Sequence, residues 1–137
     1  MPALSFQKQF APKVEAGEKT QTVRAKRKHP IKDGDNLMLY TGMRTKYCRM
    51  LGYGVCKDVS EIQIVWNENH SGRNIIINDK VLNPEEMERF AMADGFGCFE
   101  EFFSFFKAQG GFLTHCATGI VTWEGDVISW DFKGRPL

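Results

Sequence analysis

Gly17-Glu18-Lys19-Thr20-Gln21-Thr22-Val23-Arg24 is the stretch on which the reading of this chain turns. Upstream, Phe10, Ala11, Val14 and Ala16 form a short helical stripe with Pro12 in its first turn, and Gly17 closes it. Downstream, residues 20–24 alternate and are rich in β-formers, which predicts an extended strand. In a strand Thr20, Thr22 and Arg24 share one face while Lys19, Gln21 and Val23 share the other, so Lys19 joins Thr22 only from the turn before the strand. The preceding Gly17 permits such a turn.

Working outward, residues 4–6 read as a strand, residues 25–33 as a charged loop holding Pro30, and Asp33-Gly34-Asp35 as a turn into the apolar strand 36–41. A loop at 42–46 leads to a strand near 48–56. The β-rich runs 61–66 and 74–78, joined by a polar link, form a hairpin. Asn83-Pro84-Glu85-Glu86 carries an N-cap, a first-turn proline and a capping-box glutamate, with Met87, Phe90 and Ala91 as the buried face of the helix that follows. Phe99, Phe102, Phe103 and Phe106 recur at three and four, marking a second helix with a core-facing stripe that Gly110-Gly111 stops. The tail reads as a final hairpin, 119–123 and 127–132, turning at Glu124-Gly125-Asp126. At 137 residues this is one domain of the α+β class: six or seven short strands curled into a small barrel, with flanking helices.

The composition, 42% hydrophobic and 26% charged, is that of a soluble globular protein, and no apolar run approaches the roughly 18 residues of a membrane span. The Met1-Pro2-Ala3 start lacks the pattern of a secretory signal, so the expected compartment is the cytoplasm. Cys48, Cys56, Cys98 and Cys116 stand at wide, irregular spacings without a CxxC pair, which favours buried free thiols over metal ligation. The spacing predicts no metal and no cofactor, and none of His29, His70 and His115 has a partner visible from spacing. The net charge of +1 conceals an asymmetry: from Lys19 to Arg49 nine basic residues face only Asp33 and Asp35, a local charge of +7. One face for an anion follows, with nucleic acid as first candidate and a solvated basic loop at Lys26, Arg27 and Lys28 as the plainer alternative.

The Gly-x-Lys-Thr-x-Thr-x-Arg stretch directly after the first helix, the Lys32-Asp33-Gly34-Asp35 turn, and the Ala93-Asp94-Gly95-Phe96 step before the acidic-aromatic helix resemble the ASCH domain family. That family belongs to the PUA-like superfamily of small β-barrels linked to RNA, and the likeness covers residues 4–132. It implies a cleft lined by the motif and a partner that is RNA or a modified nucleoside. Some members are amidohydrolases that remove the acetyl group from N4-acetylcytidine with a Lys, a Thr and a carboxylate. The resemblance assigns those roles to Lys19, Thr22 and Asp94; those enzymes carry Glu where this chain has the shorter Asp.

On chemical grounds a threonine hydroxyl needs a neighbour to take its proton, and a lysine does so only when burial or nearby charge lowers its pKa. Binding needs less: Arg24 to clamp a phosphate, Lys19 as a point charge, Thr20 and Thr22 to hydrogen-bond a base or sugar. The same residues also read simply as β-formers and an ion-pair partner. Tyr40, Arg44 and Lys46 offer a ring and two cations for an unpaired base and its phosphates, with Tyr40 equally suited to the core. Ser129, facing opposite to Ile128 and Trp130, is a further candidate for the cleft. Three functions follow: an RNA- or nucleoside-binding domain, a hydrolase (amidohydrolase or ribonuclease) using the same cleft, and a non-catalytic protein-interaction module.

Overall fold

Two long strands organise the chain. The computed structural model describes residues 2–67, 72–109, 113–115 and 118–135. Its elements are β1 (Ala3–Phe6), α1 (Ala11–Glu15), β2 (Gln21–Arg24), β3 (Asn36–Thr41), β4 (Arg49–Asn67), β5 (Arg73–Ile77), β6 (Lys80–Val81), α2 (Pro84–Ala93), α3 (Phe99–Gln109), β7 (Leu113–His115) and β8 (Ile120–Gly134). β4 and β8 run antiparallel along most of their length, from Tyr53 opposite Gly134 to Asn67 opposite Ile120. β3 and β5 line the other edge of β4, β2 and β7 the other edge of β8, and β1 and β6 add beyond β3 and β5.

The expected final hairpin is therefore one continuous strand, and the strands expected at 48–56 and 61–66 are parts of one strand. Gly125 was the turn signal, and its reason for being glycine is a close approach. A Cβ there would stand 2.3 Å from the Arg24 carbonyl oxygen and 2.4 Å from the Trp123 ring. Absence of a side chain lets β2 lie on β8, with Thr22 opposite Ile128 and Arg24 opposite Asp126.

The sheet is also not the expected closed barrel. Five strands, in the order β1-β3-β4-β8-β2, curve round one half of the molecule, and among the described residues no ladder joins β1 to β2. Two register shifts in β4, at Tyr53/Gly54 and Cys56/Asp58, mark where the strand bends. The core inside this curve holds Leu4, Leu37, Leu39, Leu51 and Trp130, all essentially inaccessible.

α3 covers the sheet with its phenylalanine stripe: Phe103 packs edge-on against Trp66 at 5.0 Å between centroids, and Phe106 lies 5.2 Å from Trp123. α2 starts on the capping box, Glu86 N–H donating to Asn83 Oδ1 (2.8 Å) and Asn83 N–H to Glu86 Oε1 (3.1 Å). It ends in a Schellman motif, Phe96 N–H reaching Ala91 O and Gly95 N–H reaching Met92 O, with Gly95 left-handed at φ 99°. Among the described residues no helix is long and apolar enough to cross a membrane. Cys48, Cys56 and Cys98 are free as expected, but only Cys56 is buried: Cys98 is half-buried, and Cys48 is exposed because it lies in the loop before β4; Cys116, His70 and Gly110-Gly111 fall outside the described residues.

Gly125→Ala should lower the free energy of unfolding by about 1–3 kcal/mol, the usual cost of forcing a methyl into filled space. Urea denaturation measures it, and an unchanged midpoint would contradict the close β2–β8 approach.

Candidate functional site

Where β1 and β2 fail to pair, the chain leaves a pocket of about 340 Å³. β1 brings Ser5 and Phe6 to one side, β2 brings Thr22 and Arg24 to the other, and Asp94, at the end of α2, and Lys19 also line it. Phe10, Phe96, Phe105, Phe106 and Trp123 add aromatic rings. That size and this mixture of rings with a few polar groups suit a small organic ligand.

Lys19 lies in the turn ahead of β2, since the strand begins only at Gln21. The turn is made by Gly17 at φ 77° and by Glu18 and Lys19 N–H groups that both donate to Lys13 O. From there the Lys19 side chain runs inward until it is 3% exposed. Its ammonium donates to the Asp94 carbonyl oxygen and, at 3.2 Å, to Asp94 Oδ1. It also stands 5.0 Å from the centre of the Phe10 ring. Lysine thus serves as the cationic cap of α2, where orphan carbonyls and the negative end of the helix dipole gather.

Asp94 is equally buried, at 3% exposed. Burial pushes its carboxyl up to about 6, against the restraining pull of Lys19, Gln21 and Arg24. Among the described residues the buried Nε2 of Gln21 has no hydrogen-bond partner within normal distance. Burial also pushes the Lys19 ammonium down from its ordinary value, and Asp94 opposes that shift. Both groups are thus destabilised as ions by the same dry surroundings and held as ions by each other.

Thr22 and Arg24 share a face, as strand alternation requires, and Arg24 Nε donates to Thr22 Oγ1 at 3.1 Å. Arg24 Nη2 crosses the gap to the Ser5 carbonyl oxygen at 2.5 Å, and the guanidinium carbon lies 5.0 Å from the centre of the Phe6 ring. This one side chain bridges the two unpaired strands. The Thr22 hydroxyl accepts from Arg24 and keeps its own proton for a ligand. No base among the described residues hydrogen-bonds it, so the arrangement favours recognition over an activated nucleophile.

The remaining sequence candidates lie elsewhere. Lys26 is occupied by Asp126 at 2.6 Å and Glu61 at 3.5 Å. Arg27, Lys28, Arg44 and Lys46 are exposed, without ion pairs among the described residues. Thr20 joins the β2–β8 contact through its carbonyl, which accepts from Trp130 N–H at 3.0 Å. Tyr40 is half-buried on β3 opposite Met50, and Ser129 is half-buried on β8 opposite Gln21; neither lines the pocket. The exposed ring of the 42–48 loop is Tyr47, 73% exposed.

The aromatic wall was not foreseen. Phe106 belongs to the stripe assigned to the core and lines the pocket as well. Phe105 stands off that stripe, an apolar residue where the pattern calls for a polar one, and this was the available signal. Among the described residues no cluster of three His, Cys, Asp or Glu side chains is placed to hold a metal ion. Compared with protein-family models, with curated proteins and with solved structures, the chain matches none.

The Asp94 carboxyl should titrate near pH 6 in carbon-detected NMR. Since the unfolded group releases its proton near 3.8 and the folded one near 6, the folded state holds the extra proton between these values, and this group's contribution to stability falls as pH rises through that window. Lys19→Met removes the main restraining cation and should move the midpoint above 6; a move towards 4 would contradict the pairing.

Proposed function

We propose that this chain is a cytoplasmic nucleoside-recognition domain of the ASCH, PUA-like kind, and that the pocket between β1 and β2 takes the base of a modified nucleoside, free or within RNA. One observation carries the reading: Lys19, Thr22, Arg24 and Asp94 converge in a single aromatic-walled pocket. A heteroaromatic base offers flat faces for the rings and an edge of donors and acceptors for the Thr22 hydroxyl and the Lys19–Asp94 pair. The resemblance of the Gly17–Arg24 segment to the ASCH family supports the same ligand class.

The basic segment supports a local contact better than a broad polyanion surface. Lys19 is buried against Asp94, Lys26 is held by Asp126 and Glu61, and Arg49 is held by Glu15 at 2.5 Å. Three of the nine cations are thereby neutralised within the fold.

Trp123 lines the pocket and provides a direct readout. Titration with N4-acetylcytidine and the four common nucleosides at low salt should change its fluorescence, with a Trp123→Phe variant separating it from Trp66 and Trp130. Thr22→Val keeps the shape, removes the hydroxyl and should weaken binding about fivefold to tenfold. If no nucleoside perturbs Trp123, the reading fails.

A second reading, N4-acetylcytidine amidohydrolase, draws on the presence of all three implied residue types, Lys19, Thr22 and Asp94, in that one pocket. Release of acetate, followed by mass spectrometry, distinguishes it from binding alone. Turnover that survives Thr22→Val would remove Thr22 from such a mechanism.

A further inference from the structure

Arg24 is held on three sides before any ligand arrives: by Thr22 Oγ1 at Nε, by the Ser5 carbonyl at Nη2, and by the Phe6 ring, whose centre lies 5.0 Å from the guanidinium carbon. A guanidinium carries five N–H groups. Two are consumed here, and the pair on Nη1 with the second on Nη2 has no hydrogen-bond partner among the described residues. A side chain so fixed loses little further freedom when it binds, and its planar fork suits two oxygens of one anion.

The charges around it leave that fork unanswered. Arg24 forms no ion pair among the described residues; Asp94 acts on it across a distance, and its carboxylate is already engaged by Lys19. Asp126 and Glu61 are taken up by Lys26. Arg27, three residues on in the exposed loop, lies near enough to push the Arg24 guanidinium down, adding to the larger effect of burial. Ala25, between them, lines the pocket. Among the described residues no acid forms an ion pair with Arg24 at the end of β2 or with Arg27 in the loop beyond it.

We infer that Arg24 forms a phosphate subsite beside the base pocket, with Arg27 in the adjoining loop adding to the positive charge, so that the ligand is a nucleotide unit rather than a bare nucleoside. This rests on the nucleoside reading above and adds the anion to it. The base lies among Phe6, Phe10 and Trp123, and the phosphate ester takes the N–H groups that Arg24 leaves free. A free nucleoside monophosphate and a residue within an RNA strand present the same group.

The test compares cytidine, cytidine 5′-monophosphate, cytidine 3′-monophosphate, inorganic phosphate and an oligocytidylate of five residues by calorimetry at low and moderate salt. At least one monophosphate should bind about tenfold or more tightly than cytidine, as expected for charge-assisted hydrogen bonds, with the gain shrinking as salt rises. Arg24→Gln should erase the gain, and Arg27→Gln, a change in an exposed loop that leaves the fold unstrained, should reduce it. Tighter binding of the oligonucleotide than of either monophosphate identifies the strand as the source, and the reverse identifies the free nucleotide. If cytidine binds and neither monophosphate gains, the subsite is overturned while nucleoside recognition stands. Phosphate binding that Arg24→Gln abolishes, without any response to cytidine, upholds the subsite and overturns nucleoside recognition. If no probe binds, both fall.

Discussion

The buried contact between Lys19 and Asp94 determines how the rest of the molecule can be arranged. Each ion alone would be too costly to keep in a site with 3% exposure, and removing one partner from such a pair typically costs about 3–5 kcal/mol. Together they tie the turn before β2 to the C-cap residue of α2. Lys13 adds a second bond to the same helix end, its ammonium donating to Gly95 O at 3.1 Å. Gly95 makes the junction sterically feasible, because a Cβ there would press on both the Lys19 side chain and the Phe10 ring at 3.1 Å. With the end of α2 placed, Phe96 and α3 follow, and with them the aromatic wall.

An incomplete barrel exposes strand edges, and exposed edges invite pairing with other chains. Here the β1–β2 gap is spanned by side chains in place of a ladder: Arg24 reaches the Ser5 carbonyl, and its guanidinium lies over the Phe6 ring. On the far side of β1 the Thr41 hydroxyl donates to the Phe6 carbonyl at 2.8 Å, anchoring the strand to β3. A ladder would have closed the curve and left no space. Side-chain bridges hold the edges while keeping a ligand-sized opening between them.

Local chemistry was legible in the residues themselves. Asn83 and Glu86 announced the α2 capping box, Gly17 the end of α1, and alternation the shared face of Thr22 and Arg24. What depended on distant partners was not. A glycine in a strand-forming run signals a turn or a close approach equally well, and only the Arg24 carbonyl, a hundred residues away, makes Gly125 the second. Lys26 read as a free cation because Glu61 and Asp126 are remote in sequence. The helical stripe told that Phe106 would be buried, and burial against a core looks the same in sequence as burial against a pocket wall.

The order of the chain adds a constraint of its own. β2 comes early in the chain, yet among the described residues its ladder is with residues 126–129, about a hundred positions later. Contacts between segments so far apart in sequence are slow to form, and this one waits for β8. The pocket therefore forms only once β8 is available, and a chain that stops short of β8 lacks both the Trp123 ring and the ladder that holds β2 in place.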